Sequence, residues 1–185
     1  MRKIAPLFLA LLLFARDYDP ALVRKAEGKI QKIKRESHRS LRWLFSKKTA
    51  FSEREVNSYV NYSLEKREGD VIFRGARIKL EDGYVLLGGA LILKKPAPGF
   101  EITSQGARII LLSLKFRILQ KKGKYRISLQ EAFLGRKKAP IGLFRKLLPM
   151  LKQATGFNFD EERWERFPWG IRKIELRKGK VVVYY

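Results

Sequence analysis

The stretch VIFRGARIKLEDGYVLLGGALIL, residues 71–93, decides the fold class. Two apolar runs, 71–80 and 84–95, flank Glu81-Asp82-Gly83, a short loop with glycine where a tight hairpin needs positive φ. The pattern continues downstream. After the breaker Pro96-Ala97-Pro98-Gly99, residues 100–119 hold one or two further strands, in which Ile110, Leu112, Leu114, Phe116 and Ile118 alternate. Lys121-Lys122-Gly123 reverses the chain, and Tyr125, Ile127, Leu129 and Phe133 alternate back. A period of two describes half-buried antiparallel strands. A last hairpin, 171–177 and 180–185, turns at Lys178-Gly179.

Helical patterns surround these strands. Residues 17–45 carry a narrow apolar stripe of Leu22, Ala26, Ile30, Ile33, Ser37, Leu41 and Leu44, with Asp19 as cap and Pro20 at the first helical position. The rest of that helix is basic, and 46–50 reads as a linker. Ser52 and Glu55 form a capping box, and Phe51 with Val56 a hydrophobic staple, at the start of a second helix whose apolar face is Val56, Tyr59, Val60 and Leu64. Residues 141–154 return to helix, with Ile141, Phe144, Leu147, Leu148 and Leu151 on one side. Helices and strands that do not alternate strictly predict an α+β fold with an antiparallel sheet.

The charge is the compositional outlier. With 41 Lys+Arg against 18 Asp+Glu the formal charge is +23, which predicts attraction to nucleic acid or to the head groups of an acidic bilayer. There is no cysteine, which excludes a disulfide framework, a thiolate metal site and a cysteine nucleophile. Met1-Arg2-Lys3 followed by apolar residues 4–15 matches the basic start and hydrophobic stretch of a secretory signal, too short to span a bilayer. Leu13 lies where a small residue is preferred, so the segment is either cleaved or kept as a short membrane anchor. Export to the periplasm or cell envelope follows, and argues against nucleic acid as a partner.

Catalytic patterns are missing. The single histidine, His38, sits among basic residues, and no phosphate loop, dinucleotide fingerprint or nucleophile elbow occurs. The acidic run Asp160-Glu161-Glu162 is interleaved with arginines and reads as an ion-paired end, not a metal site. Gly88-Gly89 in mid-strand marks a bulge or a close backbone contact. The chain is therefore expected to be no enzyme and to need no metal or cofactor. Two features point elsewhere. Residues 85–93 and 109–112 are apolar on both strand faces, so the second face meets either a helix layer or an apolar ligand groove. A groove would be lined by Val85, Leu87, Leu91, Leu93, Ile110, Leu112 and Leu114. Trp and Tyr among Lys and Arg suit a membrane interface. The expected membrane contacts are Lys29, Lys32, Arg35, Arg39 and Trp43 on the basic helix, with Trp164 and Trp169 near the C-terminus.

Three stretches also resemble a known pattern. Phe51-Ser52-Glu53-Arg54-Glu55-Val56-Asn57-Ser58-Tyr59-Val60 is similar to the opening of several exported bacterial domains, in which a helix leads into strands like Arg77-Ile78-Lys79-Leu80-Glu81-Asp82-Gly83-Tyr84-Val85-Leu86-Leu87-Gly88. The run from Phe167-Pro168-Trp169-Gly170 to Val183 is similar to their closing hairpin. Over residues 50–185 the chain resembles the LmeA-like phospholipid-binding family and, more distantly, tubular lipid-binding (TULIP-like) domains. The resemblance implies a curved antiparallel sheet wrapped on helices, with an apolar trough for acyl chains and no catalytic residues. The basic helix lies outside it. The expected division is thus 1–15 signal or anchor, 16–49 basic helix and linker, and 50–185 an α+β lipid-binding-like domain. The expected function is lipid binding with docking on anionic membrane. The alternatives are a non-catalytic envelope scaffold for an acidic partner or polymer, and an intracellular nucleic-acid binder.

Overall fold

The computed structural model describes residues 17–37, 47–94, 108–156 and 163–185. The apolar segment at 4–15, and the remainder of the basic helix with Arg39 and Trp43, lie outside the described residues. The described elements are α1 (Pro20–Ser37), β1 (Lys48–Ser52), α2 (Glu53–Glu65), β2 (Val71–Glu81), β3 (Tyr84–Leu93), β4 (Arg108–Lys121), β5 (Lys124–Leu134), β6 (Lys137–Lys138), α3 (Ile141–Thr155), β7 (Glu165–Arg166), β8 (Lys173–Arg177) and β9 (Lys180–Tyr184). The fold is α+β, a strongly curled antiparallel half-barrel packed against helices, as the sequence predicts.

The half-barrel runs β2-β3-β4-β5-β6, with β7 added to β5. Its tight turns come from local chemistry. Asp82-Gly83 joins Glu81 to Tyr84 with Gly83 at φ 78°, and Lys122-Gly123 joins β4 to β5 with both residues at positive φ. Its curl coincides with two irregularities, one in β2 between Arg74 and Arg77 and one between β4 and β5. The second corrects the sequence reading. Lys115 pairs with Glu131 but Phe116 with Leu129, so Gln130 is an extra residue in β5. Ala132 and Leu134 therefore continue the face begun by Tyr125, Ile127 and Leu129, and Phe133 moves to the opposite face. Gly89 faces the ring of Phe73, which a Cβ there would strike, so it is the close-approach glycine expected in mid-strand.

A second sheet, β1-β9-β8, lies beside the half-barrel. The expected linker at 46–50 is in fact largely β1, paired with β9 from Lys48↔Tyr184 to Ser52↔Lys180. Lys-Thr-Ala-Phe-Ser has no run of alternating apolar residues, because an edge strand need bury only Phe51 among them. The side-chain amide of Gln120 joins the two sheets. It accepts from the Ile174 N–H at 2.7 Å and donates to the Ile174 carbonyl at 2.5 Å.

α2 begins as predicted. The Ser52 hydroxyl accepts from the Glu55 N–H, the Glu55 carboxylate accepts from the Ser52 N–H, and Phe51 and Val56 share one cluster. The expected apolar residues are packed, Leu64 buried and Val56, Tyr59 and Val60 partly so, but the face turned to β2 is polar. Glu55, Ser58, Asn61 and Leu64 are the buried residues. The Glu53 carboxylate accepts from the Leu80 N–H at 2.7 Å. The Asn57 amide accepts from the Ile78 N–H and donates to the Ile78 carbonyl, each at 2.6 Å. Asn61 does the same with Ala76, at 2.9 and 2.7 Å. Four residues of helix rise about 6 Å and two residues of strand about 6.6 Å, so a polar residue every fourth helical position meets every second residue of the β2 edge.

Asn61→Ala would leave the buried N–H and C=O of Ala76 without partners, a cost of about 2–6 kcal/mol at 1–3 kcal/mol per group. Ser63→Ala removes only a bond to its own helix, from the hydroxyl to the Tyr59 carbonyl, and should stay within about 0.5 kcal/mol. Urea unfolding midpoints of the two variants check this. Equal midpoints would show that the ladder contributes little.

Candidate functional site

The concave face of the half-barrel is apolar along its length. Val71, Phe73, Ile78 and Leu80 on β2 pair with Leu93, Leu91, Leu87 and Val85 on β3, and Leu91, Gly89, Leu87 and Val85 pair in turn with Ile110, Leu112, Leu114 and Phe116 on β4. Helix α3 covers this surface with Phe144, Leu147 and Leu151, all essentially inaccessible. A proline, an alanine and a glycine frame the helix: Ala139 donates back to the Ala132 carbonyl, Pro140 precedes Ile141, and Gly156 ends it in the left-handed region at φ 70°. The seven residues expected to line a groove therefore share one face, six of them buried and Ile110 partly so. Leu87, Leu91, Leu93, Leu112 and Leu114 are buried with the α3 side chains in a single core, Ile110 packs against it, and Val85 is buried. Apolar strands on both faces leave open whether a helix or a ligand supplies the second layer, and here the helix does.

The expected membrane contacts are scattered. α1 is capped by Asp19, whose carboxylate accepts from the Ala21 N–H at 2.8 Å. Its buried stripe is Val23, Ala26 and Ile33, with Ile30 partly buried, so Val23 replaces the expected Leu22. That stripe packs on the domain and is closed to a bilayer. Lys29 is withdrawn as well. Its ammonium lies 2.7 and 2.8 Å from the two Glu55 carboxylate oxygens and donates to the Ala50 carbonyl at 2.7 Å. Lys25 adds a contact to Glu55 at 3.3 Å. Burial alone would push the Glu55 carboxyl up, but the hydrogen bonds from Lys29 and the Ser52 N–H, the Lys29 charge and Lys25 together hold it below the ordinary range. Lys32 and Arg35 are exposed on α1, as expected. Trp169 is 43% exposed, with Lys34 over its ring at 4.6 Å, and its backbone is held at φ 50°. Trp164 is 36% exposed and sits on the far side of the β4–β5 turn's lysines, under Arg126 at 5.1 Å. Lys121, Lys122, Lys124 and Trp164 line a shallow depression of about 280 Å³. Another, near 420 Å³, is polar and open between Tyr18, Asp19, Arg54 and Asn57.

Sequence reasoning missed the convex face. β4 alternates cleanly, which sends Ile109 and Leu111 outward, and they are 64% and 61% exposed. The signal was present: residues 109–112 are all apolar, so two of the four had to face away from Ile110 and Leu112. Among the described residues no group of three metal-ligating side chains exists, and no helix is long and apolar enough to cross a membrane. A scan against protein-family models finds no match, and no curated protein matches the chain.

Two titrations follow from these contacts. Glu55 has a depressed carboxyl, so its contribution to stability is complete above the ordinary carboxyl range, near pH 4.3 for an unfolded chain, and is lost as pH falls through its lower folded value. Glu55→Gln should lower stability at pH 7 by about 1–3 kcal/mol and flatten the loss of stability below pH ~4. An unchanged acid profile would remove the Glu55–Lys29 pair from the account. Tyr125 is pushed up to about 12 by burial and by donating its hydroxyl proton to Glu165 at 2.8 Å. Stability from its protonated phenol is complete below pH ~10 and is lost as pH rises through about 12. Tyr184 is also raised, by its hydrogen bond to Glu175, so phenolate absorbance should show a late-ionising fraction that loses one tyrosine in Tyr125→Phe.

Proposed function

We propose that this chain is an exported, non-catalytic protein of the cell envelope that binds lipid acyl chains against the concave face of its half-barrel and docks on anionic membrane. The observation that carries the reading is the concave face itself. It is apolar from β2 to β5, and one amphipathic helix, α3, covers it. An acyl chain would replace the contacts of Phe144, Leu147 and Leu151 with others of the same kind. Exchange of apolar for apolar burial costs little, whereas exposure of the face to water would be prohibitive at about 25 cal/mol per Å². The shared core thus becomes a trough only when lipid fills it, which agrees with the resemblance to LmeA-like phospholipid-binding proteins over residues 50–185. The basic surplus supplies the attraction to phospholipid head groups, each Lys or Arg near such a surface contributing up to about 1 kcal/mol.

Native mass spectrometry with lipid extraction, on protein purified from membranes, tests the reading. Bound phospholipid is expected. A single-site change that loosens α3, Met150→Ala at the margin of the core, should keep the fold and speed uptake of a fluorescent phospholipid from vesicles. Lipid-free protein that takes up none, with Met150→Ala no different, would leave the half-barrel as a closed core. A turnover abolished by one point change would overturn the non-catalytic part.

A further inference from the structure

The convex face of the half-barrel is divided into two zones. At the end of the sheet where β3 leaves and β4 enters, Ile72, Ile92 and Ile109 are consecutive cross-strand neighbours on β2, β3 and β4. Ala90 and Leu111 form the next row, and Phe133 on β5 follows beside Ser113. Gly88 and Ala90 keep the middle of this area flat, while Ile109 and Leu111 stand out from it at 64% and 61% exposure. Cations border the area. Arg74 pairs with Ala90 and Arg77 with Gly88, both exposed on β2, and Lys138 lies next to Phe133 on β6. Further down the same face are Lys115 and Arg117, which pack over the Tyr84 ring at 4.8 and 4.1 Å. Of the acids of this region, Glu131 is engaged with Lys115 and Lys138 and Glu81 with Lys79, while Asp70 lies exposed two residues before Ile72, near Lys94.

We propose that this end of the convex face, with Ile72, Ile92, Ile109 and Leu111 at its centre and Arg74 and Arg77 beside them, is the surface by which the protein sits on a bilayer rich in anionic phospholipid. The inference rests on the docking reading above and supplies the face that does it. Charge decides the occupant. A second copy would bring Arg74, Arg77 and Lys138 against themselves, so like-charge repulsion opposes self-association. A nucleic acid would meet the cations but would find aliphatic side chains where stacking needs aromatic ones. An anionic bilayer matches both parts: phosphates for the arginines, and the head-group and acyl boundary for the isoleucines and leucine. The face is also rigid, since its residues are locked by the register of four strands, so insertion costs little ordering. The basic helix α1 cannot offer the same, because its apolar stripe is spent on the domain.

Co-sedimentation with vesicles of phosphatidylglycerol and phosphatidylcholine, against vesicles of phosphatidylcholine alone, is the test. The wild-type chain should bind the anionic vesicles and weaken as salt rises. Ile109→Ser with Leu111→Ser should bind at least about tenfold more weakly at every salt, equivalent to about 1.4 kcal/mol. Arg74→Gln with Arg77→Gln should bind more weakly at low salt and show a shallower salt dependence. Lys32→Gln with Arg35→Gln on α1 should change binding less than threefold, roughly, since only screened attraction is lost. An unchanged urea midpoint shows that the serine variant is folded, and Ile109→Trp gives an independent readout by binding more tightly. If wild type binds anionic vesicles and the serine variant binds equally well, this face is overturned while the docking reading stands. If wild type carries phospholipid from the cell but binds no vesicle, the docking reading falls and the face falls with it. If the serine variant instead abolishes a concentration-dependent dimer and leaves vesicle binding intact, the face belongs to a second copy and the proposal is overturned.

Discussion

Three polar side chains on one helix face take the place of a missing strand. β2 is the open edge of the half-barrel, and its backbone groups at Ala76, Ile78 and Leu80 point away from β3. Left bare, such an edge would recruit another chain. Glu53, Asn57 and Asn61 close it from α2 because their helical spacing nearly equals the repeat of the strand. Much else depends on the position this gives α2. Its first turn is fixed by the capping box, and the Glu55 carboxylate that completes the box also receives Lys29, which fastens α1. The Leu80 carbonyl, at the far end of the ladder, accepts from the Gly179 N–H, and the Glu53 N–H donates to the Gly179 carbonyl. The β8–β9 turn is thereby seated on the half-barrel, and the small sheet with it. Lys178 adds a bond from its N–H to the Asp82 carboxylate, so the two hairpin turns interlock.

The parts legible in the sequence are those set by local chemistry. Asp82-Gly83 and Lys178-Gly179 announced their turns, Ser52 and Glu55 their cap, and the period of two in β4 its two faces. The parts that were not legible depend on partners remote in the chain. β1 is a strand because Lys48 to Ser52 find β9, 128 or more positions onward, and nothing in Lys-Thr-Ala-Phe-Ser requires it. Phe133 changed faces because one residue, Gln130, bulges out of register, and a bulge leaves no mark in a pattern read strand by strand. Asn57 and Asn61 had no place in the apolar pattern of the helix, and their spacing of four on the side toward β2 was the available sign. The stretch from Phe51 to Val60 acquires a physical meaning here: its Glu53 and Asn57 hold the sheet edge, and its Glu55 holds the cap and α1. These are structural duties, so the motif alone speaks for the fold before it speaks for lipid.

The candidate site divides along the same line. The concave residues from Val85 to Leu114 were correctly grouped on one face, because alternation and hairpin register suffice for that. Whether the face meets a helix or a ligand is a property of the third dimension, and α3 occupies it. The consequence is energetic. Left bare, the face would expose aliphatic surface at a cost of about 25 cal/mol per Å², and the cover of α3 removes that surface from water.

The formal charge of +23 does not translate directly into a membrane-binding surface. Lys25 and Lys29 are consumed by Glu55, Lys34 lies on Trp169, and Lys115 and Lys138 share Glu131. What survives at the exposed surface of α1 is Lys32 and Arg35, while the stripe of Val23, Ala26 and Ile33 is buried against the domain. Coulomb attraction over a Debye length of roughly 8 Å brings a basic protein to an anionic surface but holds it weakly once salt screens it. Retention needs apolar area that leaves water on contact. On the described surface exposed apolar area lies near exposed cations at Ile109 and Leu111 with Arg74 and Arg77, at Trp164 with Lys121, Lys122 and Lys124, and at Trp169 with Lys34, and the first of these is the largest aliphatic exposure.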